Sequence, residues 1–270
     1  MKPSTPKADF IRELSGQFDL AGKVALVPGG YGGIGEAIAW GLAMRGAHVV
    51  IGGRSLDKAE ALVAQLVARG LSASAVAIDA HSTTSIRNAV DTVAARNGKI
   101  DILINCVGIQ REEKLVDVTE VAFDEVVQVN LKAAMFLAQS VAKHQIAAKR
   151  GGKQIHLLSV RAQLGLRDRG YSAYCATKGA LVMLVKQHAV ELARDNIQVN
   201  GIAPTVVVTE MARHWLDNET TRKQIVERIP LGRVAEPKDV VGAALFFASP
   251  ASDFVTGQIL YLDGGITASQ

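Results

Sequence analysis

The feature that most limits the folding options of this chain is a strict alternation of two hydrophobic periods. Short β-branched and aliphatic runs at residues 24–27, 48–51, 74–78, 100–105, 154–159, 198–202 and 258–262 are separated by longer Ala- and Leu-rich segments such as 35–45, 56–69 and 83–96. The runs read as strands, and the segments carry apolar residues at i, i+3, i+4 and i+7, the spacing of one helix face. Strand cores such as Ile102-Leu103-Ile104 are continuously apolar, as a parallel strand covered on both faces requires. This alternation predicts an α/β fold, a single doubly wound parallel sheet of about seven strands with helices on both faces. No repeat, low-complexity stretch or Pro/Gly/Ser linker divides the chain. Residues 20–270 are therefore expected to form one domain, and residues 1–19 a loosely held N-terminal extension.

Composition narrows the function classes. Hydrophobic residues make up 49% of the 270, enough for a large core and too many for a disordered chain. No run approaches the ~18 uninterrupted apolar residues of a membrane helix, and residues 1–16 lack the apolar stretch of a secretory signal. Two cysteines, Cys106 and Cys175, fit a reducing compartment better than a disulfide framework, so a cytoplasmic setting is expected. Thirty basic residues against 26 acidic ones leave a formal charge of +4, well mixed, with no basic tract to wrap nucleic acid. The six histidines lack metal-ligand spacing, and no metal site is expected.

Between the first strand and the first helix the chain reads Pro28-Gly29-Gly30-Tyr31-Gly32-Gly33-Ile34-Gly35. A strand that turns into a helix offers free N–H groups and a positive dipole end to a pyrophosphate, and glycines let the backbone come close. The spacing, in the first βα unit, predicts a dinucleotide cofactor bound to a Rossmann fold. The ribose selector belongs at the end of the second strand, where the chain reads Gly52-Gly53-Arg54-Ser55. No acidic residue stands there to hold a free 2′-hydroxyl. Arg54 offers a planar cation for a 2′-phosphate and Ser55 a hydroxyl, which favours NADP(H), with NAD(H) as the alternative. The alternative for Arg54 is a solvated residue ahead of a helix capped by Ser55. Asp79, ending the third strand, serves either an adenine amino group or the cap of the helix that begins near Ser82, and both readings stay open.

Tyr174 and Lys178 stand at i and i+4 of a helical segment, on one face. A phenol is a poor base near neutrality, and an adjacent ammonium favours the phenolate. The pair therefore predicts a tyrosine brought towards the working range of a general acid/base. Ser159 ends the fifth predicted strand, at the carboxyl edge where open α/β sheets bind ligands. Together with Gly29-x-x-x-Gly33-Ile34-Gly35, Asn105-Cys106-Val107-Gly108, Asn130 in Val-Asn-Leu, Asn200-Gly201-Ile202-Ala203-Pro204 and Leu262-Asp263-Gly264-Gly265, these residues resemble the short-chain dehydrogenase/reductase family over residues 19–270. The resemblance implies an oxidoreductase that interconverts a secondary alcohol and a ketone. It implies Tyr174 as general acid/base, Ser159 as polariser of the reacting oxygen, and Lys178 as the group that holds the nicotinamide ribose. Asn130 would anchor, through its helix backbone, a water that relays protons. Cofactor contacts are implied at Gly29, Tyr31, Gly33, Ile34, Gly35, Asn105, Gly108 and Thr209. The long apolar segments 124–148 and 171–194 would pair between subunits of a homodimer or homotetramer.

Several positions depart from the family pattern: Pro28 replaces a threonine, Cys106 an asparagine and Thr205 a glycine, and the Ser159–Tyr174 interval is two residues longer than usual. The extra residues must bulge within 161–172, beside the substrate. Gly108-Ile109-Gln110-Arg111 resembles gluconate 5-dehydrogenases and other sugar-acid members, whereas residues 204–211 resemble polyol- and xylulose-reducing members. A sugar, polyol or sugar acid is the expected substrate. Arg111, Arg161, Arg167 and Arg169 come from segments near the predicted mouth, and arginine suits a carboxylate. Each reads otherwise as a solvated residue or a partner of Asp168 or Glu112. Arg111 and Arg161 are the substrate candidates among them. Residues 209–228 read as one amphipathic stretch, with Met211 and Trp215 as pocket walls. The rival readings are a 3-oxoacyl-carrier-protein reductase and a catalytically inactive dinucleotide-binding regulatory protein.

Overall fold

A computed structural model describes residues 8–269. Helix α1 (Ala8–Ser15) precedes the sheet with Phe10, Ile11 and Leu14 exposed, while residues 1–7 of the expected extension lie outside the described residues. Seven strands follow: β1 (Val24–Pro28), β2 (His48–Gly53), β3 (Ala73–Ala77), β4 (Ile102–Asn105), β5 (Gly152–Leu157), β6 (Ile197–Pro204) and β7 (Ile259–Leu262). All pair in parallel, in the order β3-β2-β1-β4-β5-β6-β7. Each expected strand is present, its ends within two residues of the expected ones.

The helices that connect them are α2 (Gly33–Met44), α3 (Leu56–Val67), α4 (Thr83–Asn97), α5 (Glu120–Val127), α6 (Ala133–Ala148), α7 (Ser172–Leu192), α8 (Glu210–Leu216), α9 (Glu219–Glu227) and α10 (Pro237–Ala248). Strand side chains alternate between faces, and both faces are covered. Val27, Ile51 and Ile104 pack with Ile38 and Leu42 of α2, Leu62 and Leu66 of α3, and Phe247 of α10. Leu26, Val50 and Leu103 meet Ile86 and Val90 of α4 and Leu137 and Val141 of α6. Leu181 and Val185 of α7 close the second face over Val199 and Ala203. This two-sided burial explains why the strands read as unbroken apolar runs. It stabilises the fold by roughly 1.5–3 kcal/mol for each large side chain removed from water.

Strand order reverses between β1 and β4, where β2 and β3 lie to one side and β5 to the other. At such a switch point the connections leave in opposite directions and open a crevice at the carboxyl ends of the strands. The apolar stretch 124–148 is helical throughout, and a π-turn (Gln128–Lys132) joins α5 to α6 with Asn130 at its centre. The stretch 209–228 is two short helices, because the Asn218 side chain accepts from the Thr221 N–H at 2.9 Å and caps α9 afresh.

Candidate active site

The turn after β1 is shaped by close approach. Gly29 has φ +76° and donates its N–H to the Gly52 carbonyl at 2.7 Å. A Cβ on Gly29 would stand 2.9 Å from the Cys106 carbonyl, and one on Gly35 would collide with the Gly29 carbonyl. Thr209, from the loop after β6, lies over Gly33, whose Cβ would come within 3.0 Å of the threonine Cβ. Gly29, Ile34, Gly35 and Thr209 thus frame a backbone-lined cradle at the N-terminus of α2. Its dipole and the lack of side chains at Gly29, Gly33 and Gly35 fit a pyrophosphate.

At the end of β2 the Tyr31 hydroxyl accepts from the Ser55 N–H at 3.2 Å. Ser55 accepts from Lys58 N–H at 3.3 Å, so it caps α3, and Arg54 beside it is exposed. Asp79 does not cap the next helix. Ser82 does so by accepting from Ser85 N–H, while Asp79 accepts from His81 N–H at 3.0 Å. That hydrogen bond, with help from the charge of Arg54, holds the Asp79 carboxyl below its ordinary range despite partial burial.

The second group gathers over β4 and β5. Asn130 is buried and clasps the backbone after β4, and its Nδ2 also lies 3.3 Å from Thr177 Oγ1. A Cβ on Gly108 would stand 3.6 Å from Lys178 Nζ and 3.7 Å from Asn130 Oδ1, so the three positions share one corner. Asn105 turns its Oδ1 to the Val107 N–H at 3.1 Å and its amide to His156 Nδ1 at 3.4 Å. Ser159 is not the last residue of a strand. β5 stops at Leu157, and the Ser159 hydroxyl instead accepts from Arg161 N–H at 3.2 Å, starting a short 3-10 turn (Val160–Ala162).

Tyr174 and Lys178 open α7, with Nζ 5.5 Å from the phenol ring centroid. Lys178 is 3% exposed and donates to the Leu157 carbonyl at 2.8 Å. Burial pushes its ammonium down to about 8 against a weaker opposing pull from Cys106. The Tyr174 phenol is pushed up rather than down, which corrects the expectation. Burial outweighs its hydrogen bond with Ser159 and the charge of Arg161, while Lys178 donates one of its three N–H groups to the Leu157 carbonyl.

The arginines at the mouth divide. Arg111 makes a fork to Glu125 at 2.8 and 2.9 Å, and Arg169 pairs with Glu112 at 2.8 Å while lying 5.5 Å from the Trp215 ring centre. Both are already neutralised by carboxylates of the chain. Arg161 differs. One guanidinium nitrogen donates to the carbonyls of Leu164 and Gly165 at 3.2 and 2.6 Å, and among the described residues it has no carboxylate partner. It is half-buried, and the charge of Arg228 reaches it. Met211 is exposed on α8. Trp215 packs on Tyr171 and His214 at centroid distances of 6.3 and 4.3 Å, with its indole N–H buried and unpartnered. Tyr171 in turn stands edge-on to Tyr174 at 5.9 Å. Glu125, Tyr171 and Arg228 carry no motif, and only the fold brings them to the site. Among the described residues no His/Cys/Asp/Glu group is arranged to hold a metal, and no helix is long and apolar enough to cross a membrane.

Comparison with known proteins gives a consistent picture. Residues 30–267 match the family model described as enoyl-(acyl carrier protein) reductase. The chain is 39% identical over 249 residues to the 5-keto-D-gluconate 5-reductase of Escherichia coli (strain K12), covering 92% of this chain and 97% of that protein. It is 38% identical over 252 residues to the gluconate 5-dehydrogenase of Gluconobacter oxydans (strain 621H), covering 93% and 97%. Among solved structures, a gluconate 5-dehydrogenase from Burkholderia cenocepacia J2315 in complex with NADP and tartrate superposes with a TM-score of 0.90 at 39% identity, covering 94% of this chain and 98% of that one.

Proposed function

The chain belongs to the short-chain dehydrogenase/reductase family, and on that footing we propose that it is an NADP(H)-linked oxidoreductase that interconverts a secondary alcohol and a ketone on a small sugar acid. The observation that carries this reading is the convergence of Ser159, Tyr174, Lys178 and Asn130 at the crevice beside the glycine cradle. Its relatives act on gluconate and 5-keto-gluconate by name, and a structural relative holds NADP.

When bound, the nicotinamide supplies or accepts the hydride. In the reducing direction Tyr174 gives its phenolic proton to the carbonyl oxygen of the substrate, and the Ser159 hydroxyl donates a hydrogen bond to the same oxygen. Both contacts strengthen as negative charge develops there, so they act on the transition state. Burial keeps the phenol protonated and ready to donate. The Lys178 ammonium stabilises the phenolate that results, and the π-turn at Asn130 links the lysine to solvent protons through its backbone. The charge of Arg161, half-buried and without a carboxylate partner among the described residues, supports a site for the substrate carboxylate.

A panel of keto-sugar acids, polyols and acetoacetyl thioester, run with NADPH and NADH, tests the reading. Reduction of a keto-sugar acid with NADPH is expected. Turnover of the thioester alone would move the assignment to carrier-protein substrates, and NADPH binding without any turnover would leave a binding protein.

The assembly is read as a homodimer or homotetramer in the cytoplasm, with residues 20–270 as one dehydrogenase domain behind an extension over 1–19. Support comes from exposed apolar side chains on α5 to α7, namely Val121, Phe123, Met135, Met183 and Val190. Light scattering at micromolar concentration tests it, and a monomer would contradict it.

A further inference from the structure

Gly53 does not have the positive φ that would by itself call for glycine. What opposes a side chain at this position is the Tyr31 ring, which lies across it and would have to move. A Cβ there would collide with Tyr31 Cε1 and stand 2.8 Å from Cζ and 2.9 Å from the hydroxyl oxygen. The ring is tethered in that place, since its hydroxyl accepts from the Ser55 N–H at 3.2 Å. The end of the second strand is where an acidic side chain grips a free ribose 2′-hydroxyl in NAD-binding sheets. The tyrosine of the glycine turn thus occupies the space that such an acid would need.

The same phenol carries a second capacity. It accepts one hydrogen bond and keeps its own proton to donate, as does the Ser55 hydroxyl, which accepts from Lys58 N–H. With the Arg54 guanidinium next to Ser55, the turns after β1 and β2 together carry three donors, which suits a phosphate, a group that only accepts when fully ionised. We propose that Tyr31 is a specificity-determining residue for the cofactor: its ring bars an acidic selector from position 53, and its hydroxyl adds a donor for the 2′-phosphate. This rests on the NADP(H) reading above and goes beyond it, because Arg54 alone would leave an acid at 53 able to convert the site.

The test is a double-mutant cycle on the full chain, with the affinities of NADPH and NADH measured by fluorescence titration. Tyr31→Phe is expected to weaken NADPH about 5- to 10-fold, the size of one lost hydrogen bond, and to change NADH less than twofold. Gly53→Asp alone is expected to weaken NADPH without any gain in NADH. Adding Tyr31→Ala to Gly53→Asp is expected to tighten NADH at least about tenfold relative to Gly53→Asp. If Gly53→Asp does not fold, Gly53→Ala serves in its place: it should lower the melting temperature in the parent and not in a Tyr31→Ala background. An unchanged NADPH:NADH ratio in Tyr31→Phe, a gain of NADH affinity in Gly53→Asp with the tyrosine present, or equal melting losses for Gly53→Ala in both backgrounds would overturn the proposal. An unaltered protein that binds no NADPH would instead overturn the cofactor reading itself.

Discussion

The Asn130 side chain holds the backbone of Ile109 at both of its polar groups, with Oδ1 accepting from the N–H at 2.8 Å and Nδ2 donating to the carbonyl at 2.9 Å. One amide side chain thereby replaces a strand partner for the segment that runs from Gly108 to Arg111. The π-turn aims it there, and the same residue belongs to the corner formed with Lys178.

Asn130→Ala leaves a part-buried N–H and a part-buried carbonyl without partners, each worth up to about 1–3 kcal/mol. A loss of roughly 2–4 kcal/mol in urea unfolding is expected, together with a fall in kcat. Asn130→Asp should lose stability too, because it keeps the acceptor but buries a carboxyl oxygen against the Ile109 carbonyl. Equal stability of all three proteins would show that the clasp contributes nothing.

Tyr174→Phe keeps the ring and its edge-on contact with Tyr171 while deleting the transferable proton. We expect kcat to fall by ~10²–10⁴, the range for a lost general acid/base, with the affinity for NADPH nearly unchanged. Lys178→Met should damage both if the lysine holds the ribose as the family resemblance implies, since it removes that contact together with the charge beside the phenol. Near-normal turnover by Tyr174→Phe on the best substrate would end the catalytic assignment.

Arg161→Met should raise KM for a keto-sugar acid about 10- to 100-fold, as for a lost charge-assisted hydrogen bond, and leave KM for a neutral polyol unchanged. Arg111 is held by Glu125, so Arg111→Met and Glu125→Gln are expected to act alike. Steady-state kinetics on the acid and polyol pair decide the matter. A matching rise for both substrates in Arg161→Met would argue for a purely structural role.

Acid should unfold this protein partly through His156. The ring is fully buried, and burial pushes its pKa down to about 3, with the charge of His188 a smaller cause. The folded value lies below the unfolded one, so the unfolded chain binds the extra proton. The contribution is complete above pH 6.5 and is lost as pH falls towards 3. Between pH 7 and pH 4 urea unfolding should lose about 3 kcal/mol from this residue. His156→Gln should flatten that slope, and an unchanged slope would count against it. Lys178 acts at the other end: its folded value of about 8 makes its share of stability grow as pH rises from there.

Local patterns made the sheet legible before any coordinate was known. Val24 to Val27 or Ile102 to Ile104 announce buried parallel strands because burial on both faces removes polar residues from the run itself. The glycine turn and the Tyr174/Lys178 pair were equally legible, since their spacing matters over a few residues. The sequence of residues 209–228 hid its break, because Asn218 caps α9 only once the chain has turned there. Arg111 read as a substrate candidate until α5 brought Glu125 to it, and Gly53 read only as the lack of an acidic selector until the Tyr31 ring lay across it. The upward push on Tyr174 was hidden too, because a pKa depends on what surrounds the phenol, and burial beats the Ser159 hydrogen bond and the charge of Arg161. The chain alone thus determined the alternation of elements, the glycine turn after β1 and the placing of Tyr174 and Lys178 on one helix face, all set by short-range periodicity and stereochemistry. Which charges are neutralised, which rings block which positions, and which way each proton affinity moves were decided only when the β3-β2-β1-β4 order folded distant segments onto one crevice, since electrostatics and packing act through space rather than along the chain.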